Sequence, residues 1–292
     1  MTALHYDVVD VFTDRPYAGN PLAVVHGGDQ LSTGQMQEIA AEFGLSETAF
    51  PLPPTAPGAD YRLRIFTPTR ELPFAGHPSV GAAWVLAQAG LIRTGEVVQE
   101  CGAGLLPVRV DAHGAQVSGG PPEAGAALDG ATLAAAVGLR AKDLDAGMPA
   151  GIAAAGVPYA FLPVRPDAVA RAVPDPAALR ATTPGLVGLA VVAFDRVARR
   201  AHMRMFAPEV GVVEDPATGS AAVALGVFLV DRGVLCGDGR SGYLVLQGAE
   251  IGRPSELAVL VRAAGGAAVE TSVRGKVAAV ARGELLAVPP RS

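Results

Sequence analysis

The stretch Arg204-Met-Phe-Ala-Pro208-Glu-Val-Gly-Val-Val-Glu214-Asp215-Pro216-Ala-Thr218-Gly219-Ser220, which leads into the apolar run 221–230, has an earlier counterpart in the same chain. Arg64-Ile-Phe-Thr-Pro68 matches Arg204-Met-Phe-Ala-Pro208. Glu71-Leu-Pro73-Phe-Ala-Gly76 matches Glu214-Asp-Pro216-Ala-Thr-Gly219 after a three-residue insertion. From there the partners lie 143 positions apart: Gly76 with Gly219, His77 with Ser220, Val80 with Val223 and Gly90 with Gly233. An internal repeat decides the fold class before any single element does. Each copy reads as a strand ending at Phe66 or Phe206, a loop of pattern Glu-x-Pro-x-x-Gly, and a helix starting just after that glycine. Pro78 sits where a first-turn proline is tolerated, and Gly90 and Gly233 fall where a helix ends.

Both helices are apolar nearly all round, from Val80 to Ala87 and from Ala221 to Val230. A helix without a polar face must be enclosed, and these are too short to span a bilayer. Two central helices, each wrapped by strands, are therefore expected. A helix N-terminus presents unpaired N–H groups and the positive end of the dipole, and a preceding glycine lets an anion approach the backbone. Two such ends from related half-chains are expected to face one cleft. For one copy alone, a tight turn with a capping carboxylate explains the motif equally well; the duplication weighs against that.

The length of 292 residues suggests about two domains. A hydrophobic half and a charged fraction of 17% exclude a disordered chain. With a net charge of −5 and no long basic run, no nucleic-acid partner is expected, and Arg196, Arg199 and Arg200 read as a solvated turn. Cys101 and Cys236 suggest neither a disulfide framework nor a metal site, and the five histidines are scattered. The N-terminus opens on the strand-like Tyr6 to Phe12 with no signal-peptide pattern, so a cytoplasmic protein without membrane association is expected.

Further strands are expected at Leu22 to His26, from Glu47, near Glu96 to Glu100, Leu105 to Val110 and Gln116 to Ser118. Ser32 with Gln35 makes a capping box for a helix through Phe43, closed by Gly44. The Gly- and Pro-rich Gly119 to Gly125 reads as the interdomain linker. It separates a half at 1–120, completed by a C-terminal segment of about 278–292, from a half at 121–277. In the second half, helices are expected near Thr132 to Val137 and Asp167 to Ala172. Strands are expected at Tyr159 to Val164, Gly188 to Phe194, Ala201 to Phe206, Gly242 to Gln247, Leu257 to Val261, Ala267 to Val273 and Lys276 to Arg282. The fold class is α+β, in two halves related by a pseudo-twofold, each a curved mixed sheet around a central apolar helix.

Glu47 opens a strand of otherwise uncharged residues, as a solvated strand end or as a buried acid/base. His77 is a first-turn polar group or an acid/base. Of Glu214 and Asp215, one orders the loop and the other serves the site. Ser220 lacks an evident Ser-His-Asp partnership. Gly102-x-Gly104 lacks the third glycine of a dinucleotide site, and no phosphate-binding loop of the Walker type is present.

Six segments, in order and over nearly the whole chain, resemble the phenazine biosynthesis PhzF-like family. They are Asp10-Val-Phe-Thr13; Gly19-Asn-Pro-Leu-Ala-Val-Val25; Gly44-Leu-Ser-Glu47-Thr-Ala-Phe50; Phe66-Thr-Pro68 with Glu71-Leu-Pro-Phe-Ala-Gly-His-Pro78; Glu214-Asp-Pro-Ala-Thr-Gly-Ser220; and Gln247-Gly-x-Glu-x-Gly-Arg-Pro-Ser255. The resemblance implies the diaminopimelate epimerase fold and a cofactor-independent isomerase, with homodimerisation expected. Its substrate would be a small carboxylated, cyclic or unsaturated molecule of the trans-2,3-dihydro-3-hydroxyanthranilate kind. It further implies Glu47 as general acid/base, His77 and Asp215 as its assistants, and Gly76-His77 with Gly219-Ser220 as backbone donors to the substrate carboxylate region. Racemases of the parent fold carry a thiol at the start of each central helix. Here those positions are His77 and Ser220, which favours isomerisation over two-thiol racemisation. A non-thiol epimerase, or a binding protein without turnover, remains the alternative. The family motif Gln247 to Ser255 receives no role from sequence.

Overall fold

The computed structural model describes residues 4–290, the Val210 side chain apart. Of these, residues 4–117 and 274–290 form one compact unit, and residues 118–273 a second.

In the first unit, β1 (Leu4–Val11) pairs antiparallel with β2 (Asn20–Val25) on one side and with residues 277–285 of the chain's last strand on the other. After α1 (Thr33–Phe43), β3 (Glu47–Leu52) lies parallel to β2, and β4 (Tyr61–Phe66) lies antiparallel to β3. The two-residue β5 (Glu71–Leu72) folds back on β4 and leads into α2 (Gly76–Gln88). Beyond that helix come β6 (Gly95–Cys101), parallel to β4, then β7 (Gly104–Asp111) and β8 (Gly114–Ser118) in antiparallel succession. The helix α1 obeys its sequence signals: Ser32 and Gln35 form both halves of the capping box, and Gly44 closes it at φ 61°. The helix α2 is buried on every face from Gly76 to Ala83 and packs against β1, β2, β3, β4 and β7. At Gly81 a Cβ would lie 2.6 Å from Leu22 Cδ2, so only glycine lets the helix sit that close to the sheet.

The second unit opens with β9 (Pro122–Ala127), α3 (Gly130–Ala136) and β10 (Gly151–Ala155), the two strands antiparallel. The strand β11 (Pro158–Pro163) pairs antiparallel with β10 and parallel with β12 (Leu189–Asp195), reached across the short helices α4 (Pro166–Val169) and α5 (Pro176–Thr182). The strand β13 (Arg200–Ala207) runs antiparallel to β12, and β14 (Val212–Asp215) turns back on it before α6 (Gly219–Asp231). The unit continues with β15 (Gly239–Gln247), parallel to β13, and β16 (Ser255–Ala264), antiparallel to β15. The last strand, β17 (Ala267–Leu285), follows. The helix α6 is buried from Ala221 to Val230 and packs against β9, β10, β11 and β16. A second core, with Leu133, Val137, Leu162, Val191 and Phe206, lies under α3 to α5. Among the described residues no helix is long and apolar enough to cross a membrane.

The structure corrects several sequence expectations. Both central helices begin at the glycine itself, one residue earlier than expected. The expected linker is strand from Pro122 onward, because β9 is held by main-chain pairing with β10 and has no apolar period to betray it. The strand β10 and helix α5 were not expected, although Asp175 before Pro176 is a recognisable cap and accepts from the N–H groups of Ala177 and Ala178. The two strands expected at 267–273 and 276–282 are one. Gly275 does not break it; a Cβ there would lie 2.3 Å from Cδ1 of the fully buried Phe12, so its role is close approach. Gly275→Ala is accordingly expected to destabilise the protein by about 1–3 kcal/mol through overpacking. A urea midpoint unchanged from the wild type would contradict this.

Candidate active site

Two clusters hold the residues singled out by sequence, one in each unit. In the first, the left-handed Gly44 ends α1 and the chain turns through Leu45 and Ser46. Glu47 then begins β3, in register with Leu22 of β2. Its side chain is 18% exposed. Burial pushes its carboxyl up from the ordinary value of 4.5 to about 7, against a smaller downward pull from the Ser46 hydroxyl. His77, the second residue of α2, is buried at 6% exposure and places Nδ1 3.5 Å from Glu47 Oε2. That separation is slightly beyond hydrogen-bonding range, so a small shift brings the two groups together.

The start of α2 is fixed from below. Ser79 Oγ donates to the Ala75 carbonyl at 2.9 Å, Gln99 Nε2 donates to Ser79 Oγ at 3.0 Å, and Tyr61 OH donates to Gln99 Oε1 at 3.0 Å. Burial keeps the Tyr61 phenol protonated and therefore a donor. Ala75 has no side chain with which to cap the helix, so no side chain from the N-cap position occupies the first-turn N–H groups.

The shift of Glu47 has a consequence for stability. A carboxyl titrating higher in the fold than in the unfolded chain contributes fully below the unfolded value and loses that contribution as pH rises through about 7. Glu47→Gln removes the penalty. It is expected to match the wild type near about pH 4 and to exceed it by up to about 3 kcal/mol at about pH 8. A stability difference independent of pH would refute the origin of the shift.

In the second unit, Arg204 grips Glu214 through two hydrogen bonds of 2.8 and 2.7 Å, as Arg64 grips Glu71 in the first unit at 2.7 and 2.7 Å. In both, the guanidinium lies 5.1 Å from the ring of the phenylalanine two residues on. Glu214 is thus the carboxylate that orders the loop. Asp215 Oδ2 accepts from Thr218 Oγ1 at 2.5 Å, inside the turn before α6. Ser220, in the first turn of α6, shares a 2.7 Å hydrogen bond with the Tyr159 hydroxyl. The segment with no role from sequence braces this turn. Gln247 Nε2 donates to the Asp215 carbonyl at 2.7 Å, and Ser255 Oγ to the Pro216 carbonyl at 2.9 Å.

The structure therefore brings Glu47 and His77 together beside Gly76, and Asp215, Gly219 and Ser220 together around one turn. Sequence reading missed Tyr159, Gln99 and Gln247. Only the last carried a signal, as the first residue of a motif. Among the described residues no cluster of three or more His, Cys, Asp or Glu is placed to hold a metal.

The family model described as "Phenazine biosynthesis-like protein", PhzC-PhzF, matches residues 9–283. The chain is 36% identical over 258 residues to the trans-2,3-dihydro-3-hydroxyanthranilate isomerase of Pseudomonas chlororaphis, covering 86% of this chain and 88% of that protein. It is similar to the crystal structure of a PhzF-family phenazine biosynthesis protein from Bacillus anthracis, with a TM-score of 0.88 and 26% identity, covering 98% of this chain and all of that one. In fold alone it is also similar to a probable proline racemase from Agrobacterium radiobacter, at a TM-score of 0.66 and 14% identity, covering 97% and 92% of the two chains. A match of this extent, with a relative named for its isomerase activity, means that the chain belongs to the phenazine biosynthesis-like family, PhzC-PhzF, as an enzyme of the isomerase class.

Proposed function

We propose that this isomerase moves a proton, and with it a double bond, within a small carboxylated cyclic or unsaturated substrate of the trans-2,3-dihydro-3-hydroxyanthranilate kind, and that Glu47 carries the proton. The observation that bears the proposal is the Glu47 carboxyl, pushed by burial to about 7 with His77 Nδ1 3.5 Å away. A carboxyl at its ordinary value would be a poor acid near neutrality, whereas one near 7 can both take and return a proton. In the step, ionised Glu47 removes a proton from one carbon, and the electron pair left behind shifts along the conjugated system. The same carboxyl then returns the proton to another carbon, so nothing is gained or lost overall. The charge that develops is stabilised by N–H groups at Gly76-His77, and the N–H groups at Gly219-Ser220 are assigned to binding the substrate carboxylate. His77 orients Glu47 from 3.5 Å, and Asp215 is assigned an assisting role. The transfer asks for no chemistry beyond these groups.

The relative's name supplies the substrate class. The lack of a thiol at the start of either central helix supports one carboxyl base over a two-thiol racemase: Cys101 ends β6, and Cys236 follows α6. The test is incubation with trans-2,3-dihydro-3-hydroxyanthranilate in deuterated water, followed by mass spectrometry. Isomerised product with incomplete labelling is expected, because one carboxyl returns much of the proton it took. No isomerisation overturns the substrate class. Complete labelling overturns transfer by a single shielded carboxyl.

A further inference from the structure

The N-cap residue of α6 is one that ordinarily caps its own helix. A threonine at this position turns its hydroxyl back to accept from the second or third N–H of the first turn. Thr218 does not: no hydrogen bond joins its side chain to the helix. The hydroxyl is engaged elsewhere on both of its sides. It accepts from Gln247 Nε2 at 3.0 Å and gives its only proton to Asp215 Oδ2 at 2.5 Å. The main-chain N–H of Thr218 is bound as well, donating to Gln247 Oε1 at 3.2 Å. A third bond, from Gln247 Nε2 to the Asp215 carbonyl at 2.7 Å, ties the same amide to the other end of the turn.

Gln247 is suited to this task by burial and by chemistry. It is 2% exposed, at the end of β15, so its amide has no water to turn to. A glutamine carries a donor and an acceptor on one planar group, and here both are spent on one four-residue turn. Its place is fixed by the residue that follows. Gly248 has a φ of +81°, and a Cβ there would lie 2.5 Å from the Pro216 carbonyl oxygen. Ser255 Oγ closes the loop on that same carbonyl. The whole segment from Gln247 to Ser255 is thereby folded onto the turn that precedes α6.

We infer that Gln247 is a positioning residue for the reaction: it holds the Thr218 hydroxyl on Asp215 and off the helix, so that the first-turn N–H groups of α6 stay open to the substrate. The inference rests on the proposed role of Gly219-Ser220 in binding the substrate carboxylate. Without Gln247, the Thr218 hydroxyl loses its donor partner and the turn loses its brace. The hydroxyl then rotates to accept from Ser220 or Ala221, as an N-cap threonine does in other helices.

Two measurements on the full chain test this separately from the proposed function. The first is hydrogen exchange of the Ser220 and Ala221 amides in the wild type, in Gln247→Met and in Gln247→Met/Thr218→Val. Methionine keeps the volume and removes all three bonds; valine removes the competing hydroxyl. Exchange is expected to slow by about fivefold in the single variant, the worth of an N-cap bond, and to return to the wild-type rate in the double variant. Equal exchange in all three proteins overturns the inference, as does slowing that persists in the double variant.

The second is calorimetric binding of 3-hydroxyanthranilate, a stable aromatic carboxylate. Gln247→Met is expected to bind it about tenfold more weakly, and the double variant to recover part of that loss. A double variant that binds no better than the single one refutes capping by Thr218 as the cause. If the exchange pattern holds while the wild type fails to bind this carboxylate, the reading of Gly219-Ser220 as a carboxylate site falls, and the assignment of Gln247 to the reaction falls with it. Its control over the helix cap then stands as a structural role alone.

Discussion

Glu47→Gln turns over trans-2,3-dihydro-3-hydroxyanthranilate at least about a hundredfold more slowly than the wild type, with folding and binding of 3-hydroxyanthranilate retained. Glutamine keeps the length of the side chain and its acceptor oxygen, so the contact with His77 and the start of β3 are undisturbed. It removes the proton carrier. The loss belongs in kcat, because the proton is in flight only in the transition state. The pH profile supplies an independent readout. Transfer begins from ionised Glu47, and with the carboxyl titrating at about 7 the wild-type kcat/KM rises with pH and levels off above that value. Asp215→Asn is expected to lose less, since the asparagine oxygen can still accept from Thr218. A Glu47→Gln enzyme running at the wild-type rate would remove Glu47 from the mechanism and make His77 the base to test.

The sequence made these residues legible unevenly, and the reason in each case is how far the determining contact reaches. Gly44 and Glu47 are three residues apart and governed by a helix end and a strand start, so local pattern was enough to mark them. The repeat exposed both central helices, because an all-apolar run of that length has nowhere to go but inside. The capping box of Ser32 and Gln35 is likewise local. By contrast, β9 and the continuity of β17 depend on main-chain pairing and on a ring packed against Gly275, neither of which leaves a period in the sequence. Gln247 acts on residues near 215 and 218 through an amide that only the folded chain brings within 3.2 Å. For Glu47 the sequence left a solvated strand end and a buried acid/base both open, because the burial that raises its carboxyl is a property of the tertiary structure.

Burial also separates two copies of one motif that sequence cannot tell apart. Arg204→Ala is expected to destabilise the protein by about 3–5 kcal/mol, and Arg64→Ala by no more than about 1 kcal/mol. Each arginine makes the same two-pronged bond to its glutamate and stacks at the same distance on its phenylalanine. The Arg204 and Glu214 side chains are each 9% exposed, however, whereas those of Arg64 and Glu71 are 17% and 38% exposed. Water can replace Arg64 at the Glu71 carboxylate and at the Thr33 hydroxyl, to which Arg64 also donates. It cannot readily replace Arg204. That guanidinium also donates to the carbonyl of Ala172 at 2.6 Å and to those of Ala170 and Val169 at 3.3 and 3.4 Å. The Val169 carbonyl keeps the Ala172 N–H at 3.2 Å, so removal of Arg204 strands a buried carboxylate and takes a donor from the carbonyls of Ala170 and Ala172. Urea midpoints of the two variants decide the matter, and Arg204→Ala/Glu214→Leu adds a check on cause. If the stranded charge is what costs, the double variant is more stable than Arg204→Ala although it lacks one more native side chain. Equal losses from Arg64→Ala and Arg204→Ala would mean that the shared geometry, and not burial, sets the strength of these pairs. A double variant less stable than Arg204→Ala would mean that the penalty lies in the carbonyls of Ala170 and Ala172, which lose the guanidinium as donor.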